Sequence, residues 1–335
     1  MKEAMLYQKT RGNEVLCNLC SHRCRIKDSK RGICGVRENR QGVLYSLVYR
    51  KLISRAVDPI EKKPFFHFLP GSRSLSIATV GCNFRCRHCQ NSDIAQMPHD
   101  LHQILGEDIS PEEIIRECRT RQCRSISYTY TEPTIFFEYA YDIAKPAHEV
   151  GIRNVFVSNG YMTGEAIEVI APYLDAVNID LKGLDPFYKK ICNARMEPVI
   201  ETIRRMHELK IWVEVTTLVI PSLNDSDEEL RQLAEILAGI DCSIPWHLSA
   251  FHPCYRLLDK PGTPAETIRR AREIGIQAGL KHVYVGNLSG EQGENTFCTR
   301  CHQLLVERTG YTIMQNRMIK GKCPDCGILI DGVWS

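Results

Sequence analysis

No apolar run in this 335-residue chain approaches the ~18 residues that a membrane-spanning helix needs, so no span is expected. The first sixteen residues are polar and charged, unlike a secretory leader, and the cytoplasm is the expected compartment. Excess charge is also lacking. A net charge of +3 supplies no strong attraction to membrane, and nucleic acid is not an expected partner. There is no internal repeat or low-complexity tract, which excludes a solenoid or a biased, unpacked chain. What remains is a composition of 43% hydrophobic and 25% charged residues, that of a globular protein with one large domain and one or two small modules.

Cysteine is abundant: sixteen in all. Eleven fall into three groups. Cys17, Cys20, Cys24 and Cys34 form the first, Cys82, Cys86 and Cys89 the second, and Cys298, Cys301, Cys323 and Cys326 the third. A disulfide framework is not expected in so long a chain without a leader, so clustered pairs read as metal ligands. The five others, at 118, 123, 192, 242 and 254, read as small buried hydrophobes.

Between residues 75 and about 290 the pattern alternates strand and helix. Strands are predicted at 75–80, 125–130, 154–158, 176–181, 212–219, 247–251 and 282–286. Ser110, Ser226 and Thr263 each stand three residues before a Glu, the pattern of a helix capping box. Alternation of this kind implies a parallel sheet with right-handed crossovers, and six or seven units imply an open partial barrel. Such folds place chemistry at the C-terminal strand ends. There the chain sets its unusual residues: the cysteine triad, Thr131-Glu132-Pro133, Ser158-Asn159-Gly160, Asp180-Leu181-Lys182, Pro221 to Asp225, His252-Pro253 and Asn287.

The triad Cys82-x3-Cys86-x2-Cys89 follows the first of these strands. Three thiolates hold three irons of a [4Fe–4S] cluster and leave one iron open; a zinc knot completed by His88 is the alternative. The spacing resembles the radical S-adenosylmethionine (SAM) superfamily, with His88 where an aromatic residue usually stands. That resemblance implies an α/β partial (β/α)6-type TIM barrel and a SAM molecule chelated at the open iron. Reductive cleavage of SAM would yield a 5′-deoxyadenosyl radical that abstracts hydrogen from a substrate.

The barrel is similar to the activating enzymes of glycyl-radical enzymes, such as pyruvate formate-lyase. Glu132 matches the glutamate of their Gly-Gly-Glu stretch, without the glycines. Glu132 and Lys182 would then hold the methionyl amine and carboxylate, with Asp180 orienting Lys182. Ser158, Asn159 and His252 would line ribose and adenine, and Phe84 would pack on adenine. Val157 stands where these enzymes carry a cation-binding Asp. The whole-chain layout resembles the radical SAM component of the AmmeMemoRadiSam system. This implies AMMECR-type and Memo-type partner proteins and a flavodoxin- or ferredoxin-type electron donor. A protein glycine, or else a small molecule or lipid, is the expected target.

Residues 1–74 are expected to form an N-terminal Cys-rich module whose Cys17, Cys20, Cys24 and Cys34 hold zinc or a second cluster, zinc being preferred for its short knuckle-like spacing. Within it, 59–70 reads as a packed Pro/Phe-rich connector. The barrel spans 75–290. Residues 291–335 carry the C-x2-C-x21-C-x2-C spacing of a zinc ribbon, a module the barrel should be able to do without. A non-enzymatic, zinc-rich protein- or RNA-binding module is the alternative to the enzyme reading.

Overall fold

A computed structural model describes residues 1–288 and 292–335 of the chain; the expected boundary at 290/291 lies outside the described residues. One eight-stranded sheet organises it. In chain order the strands are β1 (Ser54–Pro59), β2 (Arg73–Ala78), β3 (Ser125–Tyr128), β4 (Arg153–Ser158), β5 (Ala176–Asp180), β6 (Trp212–Val219), β7 (Trp246–Ala250) and β8 (Val283–Gly286), and they neighbour one another in that same order. From β2 to β8 every pairing is parallel, and only β1 runs antiparallel to its neighbour. Six helices make the crossovers: α1 (Pro111–Thr120), α2 (Phe137–Glu149), α3 (Gly164–Ile170), α4 (Glu197–Glu208), α5 (Asp227–Ile240) and α6 (Ala265–Gln277). This is the open partial barrel expected from the alternation.

The parallel strands are largely buried on both faces, as helix-covered strands are; all four residues of β3 are buried. Helices carry one apolar stripe instead. In α4 it is Val199, Thr202, Ile203 and Met206, the i, i+3, i+4, i+7 set. Of the three expected capping boxes, that of Ser110 is complete, with Glu113 reciprocating. Ser226 caps α5, but Glu229 turns away to accept from the Leu184 amide at 3.0 Å. Thr263 does not cap α6. Its hydroxyl joins the amide of Phe251 (2.9 Å) to the carbonyl of Val219 (2.6 Å), a stronger demand because both groups are buried.

The connector at 59–70 closes the barrel floor. Glu214, fully buried on β6, accepts hydrogen bonds from the amides of Phe66 (3.0 Å) and His67 (2.8 Å), from the Trp212 indole (3.0 Å), and pairs with His247 (2.6 Å). β1, which precedes this connector and was placed in the first module by sequence, is hydrogen-bonded into the barrel sheet.

The C-terminal segment builds a three-stranded antiparallel sheet from β9 (Thr296–Phe297), β10 (Leu304–Thr309) and β11 (Thr312–Asn316). The expectation that the barrel can do without it meets a different packing. Arg308 stacks 4.3 Å over Phe66 and donates to its carbonyl, Val333 bridges to Phe68, and the Asp331 carbonyl accepts from His67. Two short antiparallel sheets occupy the N-terminus and dock on the opposite, C-terminal strand edge: Ser21 donates to the Tyr161 carbonyl (2.9 Å), and Thr163 to that of Asn18 (2.7 Å).

Removing the Glu214 carboxylate orphans four donors at once, three of them buried, so Glu214→Ala should cost about 2–4 kcal/mol. The check is a fall in the urea midpoint; an unchanged midpoint would show that the floor does not depend on this residue.

Candidate active site

A cavity of about 480 Å³ runs from the C-terminal strand ends to the floor, within the range that holds small ligands. Its wall includes Cys82, Phe84, Cys86, His88 and Cys89 from the loop after β2, and Thr131 and Glu132 from the loop after β3. Ser158 and Asn159 after β4, and Asp180 and Lys182 after β5, complete that rim. Lys62, Lys63 and Pro64 come up from the connector, and Tyr311 reaches in from the β10–β11 turn.

Glu132 ties the rim together. Its Oε1 accepts from the Thr134 amide (3.0 Å), the Thr134 hydroxyl (2.6 Å) and the Ser158 hydroxyl (2.8 Å), and its Oε2 from the Asn159 amide (2.8 Å). Asn159 in turn donates to Asn83 Oδ1 at 2.7 Å and to Cys82 Sγ at 3.7 Å. Three strand ends are thus joined through one buried carboxylate. Burial raises its pKa, against the pull of those donors. Gly160, φ +69°, makes the following turn possible, since a Cβ there would stand 2.7 Å from Ile179.

Tyr130 occupies the left-handed region at φ +63°, in the stretch where the resemblance leads one to expect glycine. The strain, about 1–2 kcal/mol, is offset by the Tyr130 hydroxyl, which donates to Asp58. Lys63 is buried against the same carboxylate at 2.6 Å; burial first, countered by Asp58, brings its pKa down to about 8.

Lys182 does not pair with Glu132. Its ammonium sits 2.6 Å from Asp180. Burial works against the charge, but Asp180 and the thiols of Cys86 and Cys192 outweigh it and hold the pKa well above the lysine range. The Tyr188 hydroxyl fastens the same turn, accepting from the Lys182 amide at 3.0 Å and donating to the Asp180 carbonyl at 3.1 Å.

The triad thiols differ. Burial pushes Cys82 far up and Cys89 to about 12, whereas a hydrogen bond from Cys192 lowers Cys86. Cys86, His88 and Cys192 gather with their ligand atoms within 4.8 Å of one another. The three triad thiols do not all come that close to one another. The buried His88 Nδ1 and Asn83 Nδ2 have no partner, polar groups left for an occupant beside the thiols.

Sequence reasoning missed Cys192. Nothing in its spacing marks it, but it closes a π-helical turn, Tyr188–Cys192, a form common at functional sites. Thr216, Leu218 and Ser249 on β6 and β7 also line the wall unforeseen. His252 is a correction: it is exposed and absent from the wall, because the chain leaves β7 with Phe251 turned into the core instead. Phe84 is buried edge-on against Tyr161 and Tyr188, at 5.1 and 6.1 Å.

In the C-terminal set the four ligand atoms lie within 4.8 Å of one another, with Cys298–Cys326 and Cys301–Cys323 sulfurs 3.6 Å apart. Burial opposes ionisation of Cys298, but amides of Cys301 and Arg300 aimed at its sulfur bring it down to about 7.

The family model of the radical SAM superfamily matches residues 76–234, the stretch that carries the triad, Glu132 and Lys182. An uncharacterized protein of Methanocaldococcus jannaschii is 46% identical over 99% of both chains. The chain belongs to the radical SAM superfamily. It is 26% identical to the pyruvate formate-lyase-activating enzyme of Clostridium pasteurianum, over 51% of this chain and 71% of that one. In fold it is similar to a radical SAM methyltransferase from Sphaerobacter thermophilus, with TM-score 0.51, 17% identity and 71% of each chain covered. It is an enzyme of the radical SAM class, a class served by a [4Fe–4S] cluster and SAM and commonly reduced by flavodoxin or ferredoxin. Among the described residues no helix is long and apolar enough to cross a membrane.

Glu132→Gln replaces one acceptor oxygen with a donor facing other donors. Anaerobic melting should fall by several degrees, on the order of 1–3 kcal/mol; a shift within about 1 °C would show the rim is held by other means.

Proposed function

We propose that this chain is an activating-enzyme-like radical SAM oxidoreductase, with Cys82, Cys86 and Cys89 as its cluster ligands. A [4Fe–4S] cluster with SAM at its open iron supplies, on reduction, the 5′-deoxyadenosyl radical that abstracts hydrogen from a substrate. The carrying observation is that the three thiols, the Lys182 ammonium and the Glu132 carboxylate line one cavity at the strand ends.

Lys182, held upright by Asp180, binds the SAM carboxylate, and Asp180 is a positioning residue. Glu132 Oε2 keeps a free lone pair for the SAM ammonium, since Oε1 already carries three donors. Ser158 and Asn159 act through Glu132 and the Cys82 loop, and Phe84 supplies an apolar wall. Lys62, Lys63, Tyr130 and Tyr311 line the space for the substrate: a protein glycine, as the activating-enzyme relatives suggest, or a small molecule or lipid. AMMECR-type and Memo-type proteins are the proposed partners, in the cytoplasm. A parallel barrel sheet with one cysteine set before it and another after it in the chain supports that whole-chain assignment.

Cys298, Cys301, Cys323 and Cys326 bind zinc. Tetrahedral zinc with sulfur at about 2.3 Å sets thiolates about 3.8 Å apart, and the 3.6 Å spacings support this.

Two measurements test these assignments. Lys182→Met should retain the cluster and weaken SAM binding about ten- to a hundred-fold, the loss of one charge-assisted hydrogen bond. Affinity within about twofold at matched iron content would remove Lys182 from the SAM site. Cys323→Ser should lose about one zinc per chain and melt lower; metal analysis that finds zinc unchanged contradicts the ribbon assignment.

A further inference from the structure

The N-terminal cysteines differ from the C-terminal ones in the way that matters for metal identity. Cys17, Cys20, Cys24 and Cys34 line one closed, apolar cavity together with Arg37 and Ile135. Yet no three of these four thiols come within 4.8 Å of one another, whereas all four C-terminal thiols do. A single tetrahedral zinc draws its sulfurs to about 3.8 Å. A [4Fe–4S] cube, with one thiolate at each iron corner, keeps them farther apart. The short knuckle-like spacing that favours zinc in the sequence therefore meets a wider arrangement in space.

A second observation is independent of sulfur positions. Arg37 is 1% exposed and lines the same cavity. One of its nitrogens, Nη2, pairs with Glu138 at 2.5 Å, while Nε and Nη1 have no partner. A buried guanidinium with two unpartnered nitrogens is costly unless an acceptor stands before it. Four thiolates around a cluster carry net negative charge, and thiolate and sulfide sulfurs accept hydrogen bonds.

The pocket also abuts the triad loop. The carbonyl of Cys34 lies 3.5 Å, and Val36 Cγ1 2.7 Å, from where a Cβ on Gly81 would stand. Gly81 immediately precedes Cys82, and His22, on the pocket wall, bonds to the Asn83 carbonyl at 2.8 Å. Gly81 at φ +107° thus lets the segment of Cys34 to Val36 pack closely on the triad loop.

We propose that Cys17, Cys20, Cys24 and Cys34 ligate a second [4Fe–4S] cluster, not zinc, with Arg37 donating to its sulfurs. The inference goes beyond the function proposed above and does not rest on the triad's role.

The test is metal and sulfide analysis of full-length protein reconstituted anaerobically with iron, sulfide and zinc. Cys82/Cys86/Cys89→Ala leaves the N-terminal module untouched. It should retain about four iron and four sulfide per chain, with about one zinc on the ribbon. Cys20→Ser/Cys34→Ser should lose that iron while the triad's remains. A triad variant with two zinc and no iron, or with iron but no acid-labile sulfide, overturns the proposal. So does an unchanged iron count in the double serine variant. If that variant fails to fold, the triad variant alone decides. Wild-type iron that survives intact in the triad variant would instead refute the triad's cluster, an outcome separate from the one tested here. Arg37→Met should keep the iron yet shift the residual cluster's EPR signal or midpoint potential; an unmoved signal and potential would remove Arg37 from its sulfurs.

Discussion

One buried carboxylate holds the rim of this barrel in shape. Glu132 takes four hydrogen bonds from the loops after β3 and β4, and through Asn159 it reaches the loop that carries Cys82. A carboxylate this buried is stable only when hydrogen bonds compensate for the lost water. Here the groups that supply them are the backbone and hydroxyls of the strand ends themselves. The same requirement that stabilises Glu132 therefore fixes where the triad, Ser158 and Asn159 stand.

Below the rim the constraint is repeated. Glu214 collects the connector's amides on the floor, and Arg308 from the C-terminal sheet packs on Phe66 beneath them. The cysteine modules are therefore not appendages. The N-terminal one leans on the triad loop at one end of the barrel, and the C-terminal one seals the other. Tyr311, from that second module, reaches the cavity wall. Both ends of the chain are thus joined to the barrel by direct contact.

The seven parallel strands were legible because each is a short β-branched or aromatic run set off by turn and cap signals, and such runs have few alternatives. β1 was not. It is antiparallel, half-buried and ends in Pro59, so its pattern matches a connector as well as a strand. Triad, Glu132 and Lys182 were legible from motif spacing, and they do line one cavity. Cys192 was not, since a π-helical turn returns it to Cys86, a contact no local pattern encodes. His252 misled because position after a strand does not set side-chain direction: Phe251 took the inward place. Thr263 likewise had the sequence of a cap, but two buried backbone groups claimed its hydroxyl.

The central claim is that this rim holds an iron–sulfur cluster able to cleave SAM. Its most direct measurement is product analysis of the wild-type protein, anaerobically reconstituted, incubated with SAM and with or without a low-potential reductant. The account predicts 5′-deoxyadenosine and methionine in equal amounts, formed only when reductant is present. Intact SAM with a fully loaded, reducible cluster would contradict it.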